Sequence, residues 1–309
     1  MSGPAISIVI PTLGDPEKLQ RLLASIRKQK FLNVTEIIET IVVVNGTQAQ
    51  ESDFEFGPFV KFEFLAEKGV NMARNAGVRL AQAPIVLFLD DDCELHEPYF
   101  LSRHIAFHRE HSSVFATGGG YQLPRGAGRL DEVYNSIQMR WFVSGLLQPG
   151  QNEKTRFLLG GNFSIKARMA QDRNLKFDEQ IRYGGSESEF FKQAEILKLE
   201  VLTNSFDVLH HTGETLFSLS RKLYRQGRGK ALIDEKFPES PAATETGGLS
   251  CRIFNYVFWW GYYFSRKNYF GILPHVFNDA LAAFNAARFR VVRWVSKRLA
   301  EKQEKGDRF

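Results

Sequence analysis

The sequence predicts an α/β protein with a mixed, mostly parallel sheet flanked by helices, followed by a helical C-terminal appendage rich in aromatic and basic residues. Three observations carry this prediction. Short β-branched runs alternate with segments of helical periodicity. The runs are apolar throughout, which is typical of parallel strands covered on both faces. Polar residues stand where these runs end, and ligands of such sheets bind at the carboxyl ends of the strands.

The first third of the chain alternates regularly between the two kinds of element. A strand at Ser7–Ile10 ends in Pro-Thr, and leucines at helical spacing follow it. Turn residues such as Asn45-Gly46 bound the later strands. The predicted strands are Ser7–Ile10, Ile37–Val44, Phe62–Leu65 and Ile85–Leu89, and the predicted helices are Pro16–Lys30 and Asn71–Ala81.

The alternation weakens after Glu97. We predict helices at Tyr99–Glu110 and from Gly184 onward, and strands at Val114–Thr117, Phe163–Ile165, Val201–Leu202 and Val208–Leu209. The predicted organisation is one domain over 1–215, with halves of about 1–97 and 98–215, a basic flexible loop over 216–250 and a helical extension over 251–309.

Composition limits the functional classes. The 309 residues carry a net charge of +5, but Arg252–Phe309 has 11 Lys/Arg against 4 Asp/Glu, so the remainder is slightly acidic. This disfavours a nucleic-acid-binding protein. Two cysteines form no disulfide framework, and neither a targeting segment nor an 18-residue apolar run is recognisable. We therefore expect a cytoplasmic protein.

Three consecutive aspartates, Asp90, Asp91 and Asp92, follow the apolar strand Ile85–Leu89. Carboxylates this close repel one another, so stability alone does not explain them. Mg²⁺ or Mn²⁺ binds carboxylate oxygens and keeps positions for substrate phosphates. The alternative is a solvated acidic turn, but the position after a buried strand favours a metal site.

These segments together resemble family 2 glycosyltransferases of the GT-A fold, over roughly residues 5–215. No Walker loop and no dinucleotide-binding glycine motif is present. The resemblance implies inverting sugar transfer from a nucleotide diphosphate sugar, UDP-sugar favoured, with Mn²⁺ or Mg²⁺. The segments that carry it are Ser7-Ile-Val-Ile-Pro-Thr12, Ile41-Val-Val-Val-Asn-Gly46, Gly69-Val-Asn-Met-Ala-Arg-Asn-Ala-Gly77 and Phe88-Leu-Asp-Asp-Asp92.

The resemblance also implies roles for residues in the donor half. Residues expected to bind the nucleotide sugar are Pro11, Thr12, Asn45, Arg74, Asp90 and Asp91. Asn45 stands where the family usually has an aspartate, although its amide oxygen can still accept a hydrogen bond. Asp92 and His210 are the expected metal ligands. His211 is the alternative, because adjacent strand residues point to opposite faces.

The expected catalytic base is Glu187, in the segment Gly184-Gly-Ser-Glu-Ser-Glu189. Inverting transfer needs one carboxylate to take the acceptor proton. Ser186 and Glu187 replace the family's Glu-Asp pair, so Glu189 is the second candidate. Acidic residues that merely favour a helix N-terminus are the alternative explanation. Gly160-Gly161-Asn162 resembles the segment that lines the family's donor-sugar and acceptor cleft.

The acceptor is expected to be a glycan or a lipid-linked molecule, in surface glycan or glycolipid biosynthesis. Of residues Phe254–Phe270, 10 of 17 are aromatic, and a basic amphipathic pattern follows Pro274. This combination predicts that the extension either binds the anionic surface at the inner face of the membrane or packs as a helix on the preceding domain. Arg221, Arg225 and Arg228 lie either on a loop that closes over the diphosphate or on a solvated helix face. An inactive nucleotide-sugar-binding module and a sugar nucleotidyltransferase are the alternative functions.

Overall fold

The computed structural model describes residues 3–33, 36–46, 60–147, 153–181, 185–238 and 249–268. Its strands are β1 Ile6–Thr12, β2 Ile38–Asn45, β3 Val60–Leu65, β4 Ile85–Leu89, β5 Cys93–Glu94, β6 Val114–Gly118, β7 Tyr121–Gln122, β8 Asn162–Lys166, β9 Glu200–Thr203 and β10 Val208–His210. Its helices are α1 Pro16–Arg27, α2 Val70–Leu80, α3 Phe100–Glu110, α4 Arg129–Ser144, α5 Ala167–Asp172, α6 Ser186–Ile196, α7 Leu216–Lys236 and α8 Leu249–Ser265.

The central sheet has the strand order β3-β2-β1-β4-β8-β6-β9. Strands β3, β2, β1 and β4 are parallel, as the sequence predicts. Strand β8 runs antiparallel to both β4 and β6, and β9 is parallel to β6. The mixed, largely parallel α/β fold is confirmed.

The core lies on both faces of β1 and β4, whose residues are all buried. Helix α1 begins with Pro16 after the N-cap Asp15 and buries its leucine face against the sheet. Helix α2 approaches β1 closely at Gly77, where a Cβ would stand 2.2 Å from a Val9 methyl carbon. Gly77 is therefore required by packing, and it does not interrupt the helix.

A small second sheet brings distant parts of the chain to the end of β4. Its strand order is β5-β10-β7, and His210 pairs with Cys93 in the antiparallel register of β10 and β5. This pairing places the histidine dipeptide beside the three aspartates. Strands β5 and β7 are two residues long, too short for the sequence pattern to predict.

The prediction of a flexible loop over 216–250 is wrong for residues 216–236, because Leu216–Lys236 forms the 21-residue helix α7. Residues 239–248 of that predicted loop lie outside the described residues. Thr215 caps α7. Gly227 lies where α7 meets α8, and a Cβ there would stand 1.9 Å from the Phe258 carbonyl oxygen. The glycines that disfavour a helix in the sequence permit this close contact. Arg221, Arg225 and Arg228 therefore lie on a helix, not on a closing loop.

The aromatic helix α8 packs against α7 and α4. Phe254, Phe258, Trp259 and Tyr262 are buried there, whereas Trp260 is 56 % exposed. The Tyr262 hydroxyl donates to the buried carboxylate of Asp234 on α7. Among the described residues, no helix is long and apolar enough to cross a bilayer. The basic amphipathic pattern after Pro274 lies outside the described residues.

Two buried histidines on α3 share one serine hydroxyl. His104 Nδ1 and His108 Nε2 lie 2.9 and 2.8 Å from Ser164 Oγ on β8. Burial, the neighbouring His108 and Arg103 lower the pKa of His104, and burial and Lys166 lower the pKa of His108 to about 3. Both side chains are therefore neutral in the folded protein at physiological pH.

This pair predicts an acid-sensitive fold. Because the folded pKa of His108 is depressed, its contribution is complete above pH 6.5 and is lost as pH falls towards 3. For His108 alone we expect a loss of about 2 kcal/mol in the free energy of unfolding between pH 7.5 and 5. His108→Gln keeps a donor for Ser164 and should lose less stability over that range, as measured by denaturant unfolding. The exposed His96→Gln should keep the wild-type slope, and equal slopes for all three proteins would contradict the prediction.

Candidate active site

The carboxyl ends of β1, β2 and β4 meet at one edge of the sheet. Thr12 ends β1 and donates its hydroxyl hydrogen to Asp91 Oδ2 at 2.6 Å. Asn45 ends β2, and its Nδ2 donates to the Thr12 carbonyl oxygen at 2.8 Å. The structure thus brings these predicted site residues together, as the parallel sheet requires.

The Asn45 side chain joins three segments of backbone. It is buried, and its amide oxygen accepts from the Gly69 N–H, which begins α2, at 3.0 Å. The amide therefore links the ends of β1 and β2 to the start of the helix that carries Arg74. Its predicted contact with a nucleotide base is untested.

The surroundings disfavour the charged forms of Asp90 and Asp91 but favour that of Asp92. Burial, together with repulsion from Asp92 and other carboxylates, raises the pKa of Asp90 despite the opposing Arg74. Burial and Asp92 likewise raise the pKa of Asp91 to about 6. Burial alone would raise the pKa of Asp92, but nearby positive groups, His210 first, outweigh it and lower that pKa. A cation at this turn would relieve the repulsion.

The two adjacent histidines face different carboxylates. His210 Nε2 lies 3.2 Å from Asp92 Oδ1, and its ring packs on Tyr121 at 4.2 Å between centroids. His211 Nε2 lies 2.8 Å from Glu94 Oε2. His210 is therefore the histidine beside Asp92, in agreement with the first choice from the sequence.

A divalent cation fits the side chains at this point. Asp92 Oδ1 is buried and faces His210 Nε2 at 3.2 Å. The other ring nitrogen, His210 Nδ1, is buried and has no hydrogen-bond partner among the described residues. Within the same ranges, no group of three or more His, Cys, Asp or Glu side chains is arranged as a complete metal site. Mg²⁺ typically takes one or two protein carboxylates and leaves its other positions to water and substrate phosphates.

The backbone of Gly160 and Gly161 lies against Asp90 and Arg74. The Gly161 N–H donates to the Tyr121 hydroxyl at 2.8 Å. A Cβ on Gly161 would stand 2.7 Å from an Asp90 carboxylate oxygen, and one on Gly160 would stand 2.8 Å from Arg74 Nη2. The two glycines leave room for Asp90 and Arg74 in their present positions, and a larger residue at either glycine would displace those side chains.

Arg74 is buried between Asp90 and the start of α6. Its Nη2 donates to the Gly160 carbonyl oxygen at 2.9 Å and to Asp90 Oδ1 at 3.3 Å. Its Nη1 donates to Ser186 Oγ at 2.9 Å. The guanidinium therefore connects the donor half of the sheet to α6.

Of the two candidate bases in the first turn of α6, one is partly exposed and the other is buried. The Glu187 side chain is 27 % exposed, and its Oε2 accepts from Ser186 Oγ at 2.7 Å. Glu189 is fully buried and forms an ion pair with Lys236 of α7. Because Glu189 is enclosed and paired, Glu187 is the residue that can meet a substrate.

Comparison with known proteins shows the family of the chain. The family model "Glycosyl transferase family 2" matches residues 7–173, more than half of the chain. The chain belongs to glycosyltransferase family 2. A PGL/p-HBAD biosynthesis glycosyltransferase from Mycobacterium bovis is 29 % identical over 185 residues, 54 % of this chain and 70 % of the relative.

Solved structures show the same fold for this glycosyltransferase. The mannosyltransferase PcManGT from Pyrobaculum calidifontis, in complex with GDP-Man and Mn²⁺, has a TM-score of 0.57 at 14 % identity, over 92 % of this chain and 80 % of that one. TarS from S. aureus, in complex with UDP, has a TM-score of 0.52 at 18 % identity, over 86 % of this chain and 74 % of that one. At these identities the likeness establishes the GT-A fold alone.

Sequence reasoning missed several contributors to the glycosyltransferase site. The Tyr121 ring packs against His210, and its hydroxyl accepts from the Gly161 N–H. The glycine run Gly118–Gly120 just before Tyr121 was the feature of the sequence that could have indicated this residue. Lys222 of α7 pairs with the buried Glu214, lies 4.5 Å from the Tyr134 ring centroid and attracts Asp92. The basic cluster that contains Lys222 is visible in the sequence, but the position of the Lys222 side chain near Asp92 depends on the helix α7.

Proposed function

We propose that this glycosyltransferase moves a sugar, with inversion, from a nucleotide diphosphate sugar to an acceptor hydroxyl, and that it depends on Mn²⁺ or Mg²⁺. The supporting observation is the crowding of Asp90–Asp92 beside His210, with Arg74 connecting Asp90 to the neighbourhood of Glu187. The cluster provides anionic ligands for a cation and, close by, a separate carboxylate to accept a proton.

The donor binds at the carboxyl edge of the sheet in this proposal. Pro11, Thr12 and Asn45 meet the nucleoside, and Asp90 and Asp91 meet the ribose and its surroundings. Arg74 orients Asp90 through the contact at 3.3 Å. A UDP-sugar is the favoured donor, and the TarS and PcManGT complexes hold UDP and GDP-Man respectively.

Asp92 and His210 would hold the divalent cation. Bound there, it would stabilise the negative charge that develops on the nucleoside diphosphate leaving group. The complex of PcManGT with GDP-Man and Mn²⁺ supports a divalent cation in this fold. Lys222 of α7 attracts Asp92 and places a positive charge on that side of the proposed cation site.

Glu187 acts as the general base in a single displacement. The acceptor oxygen forms a bond to the anomeric carbon as the bond from that carbon to the diphosphate oxygen breaks. The acceptor's O–H proton passes to the Glu187 carboxylate, and the electron pair of the broken bond leaves with the nucleoside diphosphate. The acceptor is a glycan or a lipid-linked molecule, and membrane association of the extension remains a prediction.

A thermal-shift screen tests donor class and metal dependence. The full chain is mixed with UDP, GDP, dTDP or CMP in Mn²⁺, Mg²⁺ or EDTA. At a nucleotide concentration 100 times Kd the folded state gains about 2.7 kcal/mol. We expect the largest rise in melting temperature with UDP and Mn²⁺, and its loss in EDTA. Equal shifts in Mn²⁺ and EDTA would contradict metal dependence, and no shift with any nucleotide would contradict nucleotide-sugar binding itself. A nucleotide shift without transfer would favour the inactive binding module.

A further inference from the structure

Arg74 and Glu187 are too far apart for a direct hydrogen bond, and one serine fills the gap. Arg74 Nη1 lies 3.7 Å from Glu187 Oε2. Ser186 Oγ lies 2.9 Å from Arg74 Nη1 and 2.7 Å from Glu187 Oε2. The three side chains therefore form a continuous chain of hydrogen bonds.

The direction of this chain is determined by chemistry. A guanidinium donates hydrogen bonds and cannot accept them, so Ser186 Oγ must be the acceptor from Arg74. The serine hydroxyl has one hydrogen, which is then directed to Glu187 Oε2. A carboxylate held at one oxygen keeps the other for a new proton. No side chain of the described residues hydrogen-bonds to Glu187 Oε1.

The surroundings hold Ser186 and Arg74 in place. Ser186 is 3 % exposed and Arg74 is 2 % exposed. Gly185, with φ of 74° in the left-handed region, precedes α6 and sets Ser186 as its first residue. A Cβ on Gly160 would stand 3.2 Å from Glu187 Oε2, so the glycine leaves room for the carboxylate at this position.

We propose that Ser186 is a positioning residue for Glu187, transmitting the fixed orientation of Arg74 to the carboxylate that takes the acceptor proton. This inference rests on the proposed role of Glu187 as base. Arg74 also contacts Asp90, so one buried guanidinium serves both the donor side and the base. Loss of the serine hydroxyl releases the carboxylate from its orientation while leaving the Arg74–Asp90 contact intact.

Ser186→Ala in the full chain tests the positioning role. With a sugar donor of the nucleotide that the screen above selects, we expect kcat to fall about 10-fold while KM for the donor changes less than about 3-fold. Ser186→Thr retains a hydroxyl and should recover most of kcat. Ser102→Ala removes a serine hydroxyl of similar burial on α3, away from these residues, and should leave kcat unchanged.

Three results would overturn the inference: wild-type kcat in Ser186→Ala, a rise in KM alone, or an equal fall of kcat in Ser102→Ala. Failure of the proposed function looks different, because Glu187→Gln itself would then retain transfer.

A double-mutant cycle in denaturant unfolding tests the contact without any acceptor. Ser186→Ala, Glu187→Ala and the double variant should show non-additive losses of stability. Strict additivity would show that the hydroxyl does not bind the carboxylate.

Discussion

Asp92→Asn should reduce transfer at least about 100-fold and abolish the Mn²⁺-dependent part of the nucleotide thermal shift. Asparagine keeps the size of the side chain but removes the charge that faces His210 at 3.2 Å. The Asp92 carboxylate is buried beside His210, and its negative charge is what a divalent cation bound there would require. Transfer is measured with a sugar donor of the nucleotide that the screen selects.

The control for this variant is another aspartate that is far more exposed. Asp172 ends α5, its side chain is 66 % exposed, and it faces Arg168 one helical turn earlier. Asp172→Asn should retain both transfer and the metal-dependent shift. The melting temperature of Asp92→Asn in EDTA checks that the protein is folded. A wild-type Mn²⁺-dependent shift in folded Asp92→Asn would exclude Asp92 as a ligand.

Glu187→Gln should lower kcat by about 10²- to 10⁴-fold and leave donor binding nearly unchanged. Glutamine keeps an oxygen that can accept from Ser186 but cannot take the acceptor proton. The donor contacts assigned to Arg74 and Asp90 remain. The measurements are kcat with saturating donor and the nucleotide thermal shift of the same preparation.

Glu189→Gln is the matched comparison on the same helix. Glu189 is fully buried and paired with Lys236, so its neutralisation should lower the melting temperature. We expect transfer to persist below that temperature. Normal turnover by Glu187→Gln would remove Glu187 as base, and loss of turnover in folded Glu189→Gln would return the role to the second candidate.

Much of the fold of the first 97 residues can be predicted from the local pattern of apolar and polar residues. The parallel strands β1, β2 and β4 contain mostly apolar residues, and a polar residue ends β1 and β2 and directly follows β4. Because parallel strands end at one edge, the sequence places Thr12, Asn45 and Asp90 near one another. The motifs also predict the family, which the match over residues 7–173 confirms.

The choice between alternative residues required the tertiary structure. Neighbouring side chains such as His210 and His211 look equivalent in sequence, and only the pairing of β10 with β5 turns one towards Asp92. The sequence also does not distinguish Glu187 from Glu189, which both lie in the first turn of α6. Packing of α7 over that helix buries Glu189 against Lys236 and leaves Glu187 accessible.

The sequence by itself determined the family, the parallel half of the sheet and the group of acidic and basic residues from which the site is built. Only the tertiary structure decided the partner of each residue, the helical state of residues 216–236 and the hydrogen-bond chain from Arg74 through Ser186 to Glu187. The physical reason is distance along the chain: Arg74 and Ser186 are 112 residues apart, and no local periodicity records a contact of that separation.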